Sequence, residues 1–560
     1  MIRCLHNCFP AFALGFGLIV SACVSTVVAA EADLLRLVRP DAGLCVAASG
    51  WDSSVKVQNA WFDRLKNSPL YQGWRASRDF QKLRRSMAAL EQRLGQPAGG
   101  FLRDMTAGGV VLAVYPRPES EPVSVFLMQA DDSATLETAL DLWNEMEHAV
   151  LETESVGDRS YVRRTTSKSA DQQVVQYYAQ HNRLFALTDD EATLRTTLLA
   201  SSDKGDDNLT TVAWFQTAQA ALPADCRVKV YFNPRAWDAA VQLPEHPKFG
   251  ERQIIELWQQ CESVVVGLRV QQGLSLEGVA SFDPLLSVKP RENQESAFRN
   301  HLPQDAWFVF TGTMDLAGNA HSLLQELPEK EQRELENLRR IGRGFFLGHD
   351  LLDDVLPTLG PQFSCVITPR SDMEADVPPI NGVFALEFRP QSNDQEHGIP
   401  VKLAIDRGLQ TGWGVLAALV DSSSRLRIKD GVSWVDSFGP WQPAFSVTDE
   451  FLIFATTPDA IRKFIAAKTP ENSATAVVKI PAGPVSDQHV LVNLQAVRSF
   501  LANNENIFVQ RIAANTPLSV EEVERRLRRA ILASEVFDAL FLTVDVKTNQ
   551  IRVTIGGAVE

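Results

Sequence analysis

The sequence from His349 to Asp354 carries one imidazole and three carboxylates within six residues, and it is the most metal-like cluster in the chain. On a helix, His349 and Asp353 would lie one turn apart and could give two ligands to a divalent cation. No third ligand is identifiable, and the helix dipole alone favours aspartates in a first turn. We therefore expect a helix start here and predict no metal site.

Nucleophilic catalysis finds little support in the sequence. The GxSxG and GxxxxGK[ST] patterns are absent from the mature chain, and no two of the nine histidines fall within five residues. The SxxK spacing occurs at Ser53 with Lys56 and at Ser201 with Lys204, but the SDN and KTG partners are missing. The acidic stretch Ser202 to Asn208 lacks the alternation of a calcium loop. We predict no catalytic, cofactor-binding or metal-ligating residue.

A basic row accompanies the most regular helical pattern, which runs from Tyr71 to Leu94. Apolar residues recur there at steps of three and four and predict a buried stripe: Phe80, Leu83, Met87, Leu90 and Leu94. Basic residues recur on roughly the opposite side of this helix: Arg75, Arg78, Lys82 and Arg85. This row could meet an anionic envelope polymer, lipid headgroups or an acidic partner. The alternative, which we expect, is a solvated face that pairs with the protein's own carboxylates.

The tryptophans are spread over both halves of the chain. Trp61, Trp74, Trp143 and Trp258 fall inside amphipathic helical runs, where packing at the core or its edge is the expectation. Trp434 and Trp441 flank a hairpin region and could edge a ligand groove. We expect packing for these two as well.

The composition is that of a globular protein with more than one core. The chain has 560 residues, of which 45% are hydrophobic and 22% are charged, so at least two domains are expected. A formal net charge of −15 argues against nucleic acid as a partner, because an acidic surface repels phosphate backbones. A local basic patch is compatible with this balance. No segment after the N-terminal one is long and apolar enough to span a membrane.

An export signal is predicted at the N-terminus. No Asp, Glu, Lys or Arg occurs from Cys4 to Ala30, Phe9 to Val20 forms an apolar region, and small residues precede Glu31. Cleavage after Ala30 is favoured, which places the protein in the periplasm or cell envelope. An uncleaved leader would instead act as a membrane anchor. A third alternative is a lipid anchor at Cys23, because Val20 to Cys23 is similar to a lipoprotein lipobox.

Four cysteines follow the leader: Cys45, Cys226, Cys261 and Cys365. They are too few for a disulfide scaffold. Cys226 and Cys261 each precede an apolar strand-like run, so one bridge between them is a hypothesis. Four buried thiols are the equal alternative.

The same order of segments occurs twice along the chain. Arg39–Gly43 and Leu302–Ala306 are each a proline-containing turn before a short apolar strand. Both halves close on a hairpin with alternating apolar and polar residues. The landmarks that match in order are 44–48 with 307–311, 110–114 with 363–368, 178–187 with 445–455, 228–233 with 490–493, and 263–282 with 540–556.

Helix starts also correspond in the two halves. Thr188 and Glu191 are spaced as a capping box, and Thr457 with Pro458 predicts a capped start with proline at the first helical position. We therefore predict an α+β fold: two homologous units of mostly antiparallel sheet with packed helices, in a pseudo-symmetric tandem duplication. The predicted boundaries are a signal peptide at 1–30, a first unit at 31–284, a linker at 285–300 and a second unit at 301–560.

This layout resembles a family of exported bacterial proteins of unknown function that have a leader and Pro-Asp-Ala strand openings such as Pro40–Ala42. The resemblance implies export and the repeated layout, and it implies no catalytic residues. The expected function is that of a non-catalytic binding or structural module of the cell envelope, with an envelope protein, lipid or glycan as partner. An exported hydrolase with dispersed catalytic residues is the alternative.

Overall fold

The structure is a computed structural model. It describes residues 33–50, 60–118, 120–169, 172–200, 207–240, 249–270, 273–283, 298, 301–325, 329–370, 379–389, 399–420, 424–436, 441–467, 488–547 and 549–559. Several sequence predictions lie outside these residues: the leader with Cys23, the two SxxK pairs, most of the loop Ser202 to Asn208, and the linker 285–300 apart from Phe298.

The chain forms two compact units. Of the described residues, the first unit consists of those within Met1–Asn67, Tyr71–Pro290 and Val546–Thr554, and the second of those within Ser68–Leu70, Arg291–Asp545 and Ile555–Glu560.

The first half of the chain contributes ten strands to one antiparallel sheet. Their order across the sheet is β4-β5-β6-β7-β3-β2-β1-β8-β9-β10. The strands are β1 Leu44–Ala48, β2 Val110–Tyr115, β3 Val123–Gln129, β4 Val150–Val156, β5 Arg159–Ser169, β6 Gln172–His181, β7 Leu184–Thr188, β8 Val228–Phe232, β9 Cys261–Val270 and β10 Gly273–Phe282. The helices are α1 Ala60–Asn67, α2 Pro69–Ala76, α3 Arg78–Leu94, α4 Ala98–Met105, α5 Ser133–Met146, α6 Glu191–Ala200, α7 Ala213–Ala221 and α8 Phe249–Gln260.

Strand alternation builds the core of this unit. Cys45 and Ala47 are fully buried, and they face Ala113 and Val111 of the neighbouring strand, which are also fully buried. Phe215 of α7 packs into the same cluster. Because successive strand residues point to opposite faces, one face of the sheet receives this set of apolar side chains.

The second half of the chain repeats the strand order. Its sheet runs β14-β15-β16-β17-β13-β12-β11-β18-β19-β20, so each strand occupies the place of the strand ten numbers before it. The strands are β11 Phe308–Thr313, β12 Leu359–Pro369, β13 Ile380–Phe388, β14 Leu426–Lys429, β15 Val432–Val435, β16 Ala444–Val447, β17 Phe451–Ala455, β18 Gln488–Asn493, β19 Ala539–Lys547 and β20 Gln550–Ala558. The helices are α9 Leu316–Gln325, α10 Glu329–Phe345, α11 Val401–Val420, α12 Pro458–Ala466, α13 Leu494–Asn503, α14 Glu505–Asn515 and α15 Val520–Ala533.

The core of the second unit is aromatic. Phe298 and Phe464 are fully buried, and the ring centroid of Phe298 lies 4.8 Å from that of Phe451. The strands contribute Val309, Val366 and other apolar residues to the same cluster. The predicted α+β class with a largely antiparallel sheet is confirmed. No helix among the described residues is both long and apolar enough to cross a bilayer.

One predicted helix cap is confirmed and one is wrong. Thr457 accepts a hydrogen bond from the backbone N–H of Ala460, and Pro458 begins α12 as predicted. The cap of α6 is Asp190, whose carboxylate accepts from the N–H of Thr193 at 2.9 Å, rather than Thr188. Thr188 is the last residue of β7, so it lies too far from the helix start to cap it.

Gly408 lies where α11 approaches the last residue of α10 and the residue after it. A Cβ atom at Gly408 would lie 2.7 Å from Cδ1 of Phe346 and 3.0 Å from the carbonyl oxygen of Phe345. Alanine gains about 1 kcal/mol of helix propensity, but overpacking costs about 1–3 kcal/mol. We expect Gly408→Ala to lower the free energy of unfolding by up to about 2 kcal/mol in urea titrations, because a backbone oxygen cannot rotate away.

Gly412 provides the matched control on the same helix. A Cβ there meets nothing within 4 Å, so Gly412→Ala should raise the free energy of unfolding by about 0.5–1 kcal/mol. Equal shifts of one sign in the two variants would contradict the close approach at Gly408.

Candidate functional site: a basic amphipathic helix

The helical pattern predicted from Tyr71 to Leu94 forms two helices rather than one. Ser77 has an extended backbone, with φ −66° and ψ 152°, and its Oγ accepts a hydrogen bond from the N–H of Phe80 at 3.2 Å. This cap ends α2 and begins α3. Gly95, in the left-handed region at φ 67°, ends α3 by donating its N–H to the carbonyl of Glu91.

The apolar stripe of α3 is not core. No residue of this helix is buried, and Leu83 is 50% exposed. Trp74 of α2 is 48% exposed and contacts the rings of Tyr71 and Phe80, so the core position is wrong for Trp74 and the alternative of packing at the edge remains. The helix therefore lies on the surface of the first unit, with its apolar residues only partly covered.

The cations of this region make no ion pairs within the described structure. They are all exposed: Arg75, Arg78, Lys82, Arg84, Arg85 and Arg93. The predicted solvation of the row is confirmed, and no carboxylate among the described residues pairs with it. Residues 71–94 carry these six basic side chains against Asp79 and Glu91, in a chain whose formal net charge is −15. The helix is a local positive surface on an acidic protein.

The second unit has a helix of the same length in the corresponding place. Both α3 and α10 have 17 residues and lie between the first and second strands of their units. The charge of α10 is nearly balanced, with five basic and four acidic residues. Two of its arginines, Arg339 and Arg343, are bound by Asp350, so they are not available to an external partner in the way that the cations of α3 are.

The cluster from His349 to Asp354 binds these arginines. Asp350 is 3% exposed and accepts from Nε of Arg339 at 3.1–3.2 Å and from Nε of Arg343 at 3.0 Å. Asp353 pairs with Arg339 as well. The segment Leu351–Val355 forms a π-helical turn capped by Asp350, so the expected start of an ordinary α-helix is wrong in its type. The described residues contain no group of three or more side chains that could hold a metal ion.

The charge state of Asp350 follows from its partners. Burial alone would raise the pKa of Asp350, but the hydrogen bonds from Arg339 and from the backbone amides of Leu352 and Asp353 lower it to about 2. The group is therefore ionised at neutral pH and acts as a structural anion.

Sequence reasoning missed a polar region on the inner face of the second sheet. In register, Thr311 of β11 lies between Ser364 of β12 and His489 of β18. Ser364 is fully buried, and neither its Oγ nor Nε2 of His489 has a hydrogen-bond partner in the described chain. Burial lowers the pKa of His489, which keeps it neutral at pH 7. No pattern in the sequence indicates which strands are neighbours, so only the register brings these residues together.

Ser364 and His489 lie farther apart than the serine and histidine of a catalytic pair. Two inter-strand steps separate Ser364 from His489, about 10 Å between their backbones. A nucleophile and its base need about 3 Å between their reacting atoms. This arrangement therefore does not assemble an activated serine.

Burial and packing account for the cysteines and the tryptophan that the sequence analysis considered. Cys226 and Cys261 are free thiols, and burial raises the pKa of Cys226 to about 11. The bridge hypothesis is thus wrong, and the alternative of unpaired thiols is confirmed for this pair. Trp434 packs against the core of the second unit and donates Nε1–H to Asp436 at 3.0 Å.

Comparison with known sequences gives one family. The sequence model of a family described as "Protein of unknown function (DUF3352)" matches residues 107–397, more than half of the chain. The chain belongs to this family. The resemblance to a family of unknown function is confirmed, and no activity comes with it. No curated protein matches the chain, and no solved structure matches it.

Proposed function

We propose that this DUF3352 protein is an exported protein of the cell envelope that acts by binding rather than by catalysis. The observation that carries the proposal is the surface of α3, a helix without a buried residue whose cations make no ion pair within the described structure. Exposed, unpaired charge of one sign on an oppositely charged protein favours a partner of complementary charge. Among the described residues hydrolysis has less support, because Ser364 and His489 lie two strands apart.

Export is part of this proposal. The apolar, uncharged stretch from Cys4 to Ala30 is typical of a secretory leader, with cleavage after Ala30. The mature protein would then reside in the periplasm or envelope. A lipid anchor at Cys23 or an uncleaved leader would hold the same protein at the membrane.

A tandem duplication of one α+β unit is also part of the proposal, and the identical order of ten strands in the two halves supports it. A finer correspondence supports it too. A Cβ at Gly108, just before β2, would lie 2.5 Å from Cγ of Gln129, the last residue of β3. At the equivalent place in the second unit, a Cβ at Gly360 would lie 3.0 Å from Oε2 of Glu387. The same close approach of backbone to side chain occurs in both units.

Binding to native envelopes tests the function. The chain from Glu31 to Glu560 is incubated with washed envelopes at low salt, and the sedimented fraction is measured. We expect the protein to sediment with the envelopes and the double variant Lys82→Gln/Arg85→Gln to lose most of this binding, because each cation near an anionic surface contributes about fivefold in affinity.

The matched control makes the same charge change on the corresponding helix. Lys330 and Arg340 of α10 are exposed and make no ion pair among the described residues. The variant Lys330→Gln/Arg340→Gln should bind envelopes as the unmodified chain does. Equal loss in both double variants, or no sedimentation of the unmodified chain, would contradict the proposed function.

A further inference from the structure

We infer that the partner of α3 is the anionic headgroup surface of a lipid bilayer. This inference rests on the proposed binding function and names its partner. The contact surface is the row formed by Arg78, Lys82 and Arg85 with Arg75 and Arg93 at its two ends.

The shape of the row favours an extended surface over a small anion. The three central cations follow one another at steps of four and three residues on a convex helix, over about 10 Å of its length. Side chains on a convex surface diverge from one another, whereas a small anion is held by donors that converge. A flat array of phosphates can contact the whole row at once.

The composition of the row favours lipid over a folded protein. Residues on the same side of the helix are small, namely Ser86 and Ala89, and the aromatic and aliphatic residues lie on the other side. Stereospecific protein interfaces depend on buried aromatic or aliphatic anchors at their centre. A row of cations without such an anchor is suited to electrostatic attraction to headgroups.

If the leader is lipidated at Cys23, which is the alternative to cleavage after Ala30, the position of the unit along the chain also agrees with a membrane partner. The first described residue, Asp33, lies ten residues after Cys23. If Cys23 carries a lipid, ten extended residues reach at most about 35 Å, so the first unit would remain close to the bilayer. The row would then act as the second of the two signals that stable membrane attachment needs.

Flotation with lipid vesicles tests the inference. The chain from Glu31 is used, because an apolar leader would itself insert into vesicles. We expect binding to vesicles with one-third phosphatidylglycerol in phosphatidylcholine, and none to phosphatidylcholine alone. Binding should disappear in about 1 M salt, where the Debye length is about 3 Å. Lys82→Gln/Arg85→Gln should weaken vesicle affinity by roughly 25-fold, since each cation contributes about fivefold.

Two controls make the outcome specific to the row. Lys330→Gln/Arg340→Gln should retain affinity within about twofold, and Arg85→Lys should retain it because charge, rather than guanidinium geometry, is what the surface attracts. Equal weakening by the two double variants would overturn the inference.

The envelope and vesicle experiments separate the two proposals. If native envelopes bind the protein through the row and phosphatidylglycerol vesicles do not, the lipid inference is wrong and the binding function stands, with an acidic protein or glycan as partner. If neither binds, both proposals are wrong.

Discussion

Replacing Arg164 with alanine is expected to lower the free energy of unfolding by about 3–5 kcal/mol, because the change removes a large, fully buried side chain and leaves three hydrogen-bond acceptors without their donor. Arg164 is completely buried between β5 and α5. Its guanidinium donates to Asn144 Oδ1 at 2.9 Å, Gln176 Oε1 at 2.9 Å and Glu147 Oε2 at 2.8 Å. The same group lies 3.7 Å from the ring centroid of Trp143, so one side chain joins the helix to the sheet.

The neighbouring residue supplies the control. Arg163 points to the other face of β5, is 40% exposed and pairs with Glu152 at 2.8 Å. A surface pair of this kind contributes about 0–1 kcal/mol, so Arg163→Ala should shift the urea midpoint little. The network around Arg164 would not have the described role if the two variants lost similar stability.

The second large effect is expected at Asp350. Asp350→Asn should lower the free energy of unfolding at pH 7 by about 2–3 kcal/mol, because a buried carboxylate that binds two arginines loses its charge. The exposed neighbour Asp353, which pairs with only one of these arginines, provides the control, and Asp353→Asn should cost less than about 1 kcal/mol.

The contribution of Asp350 should also depend on pH. Its pKa is about 2 in the folded protein and about 3.9 in an unfolded chain, so the group binds fewer protons when folded. A depressed pKa stabilises the fold fully above about pH 4, and the effect is lost as the pH falls towards 2. The stability difference between the unmodified chain and Asp350→Asn should therefore shrink by about 2 kcal/mol from pH 5 to pH 2. A difference that stays constant over this range would contradict the assignment.

Local patterns predicted the strands well, because alternation and turn formation depend only on residues that are close together along the chain. β1 has the predicted bounds, and the hairpin β9–β10 begins and ends within two residues of its prediction. The cap at Thr457 follows from the same short-range chemistry. The order of the strands could not be predicted, since the alternation of a strand shows which residues share a face and carries no information on its neighbours.

The candidate site was predictable only in part. The spacing of Arg78, Lys82 and Arg85 located the basic row. Amphipathicity shows which side of α3 is apolar but not what covers it, and that side is only partly covered. The carboxylates around Asp350 were evident in the sequence, whereas their partner Arg339 belongs to the preceding helix, eleven residues away, and only the turn between them brings the charges together.

Arginines of α10 make ion pairs within their unit and, in the part of the chain that the structure describes, those of α3 do not. Substitutions on the two helices are therefore expected to have different consequences. In the second unit, guanidinium groups hold a helix to the turn that follows it, so a substitution there alters folding before it alters any surface property. In the first unit, the cations of α3 make no ion pair among the described residues. That helix can gain, lose or exchange cations without weakening its own domain, which leaves it open to adaptation and to redesign as a surface of chosen charge.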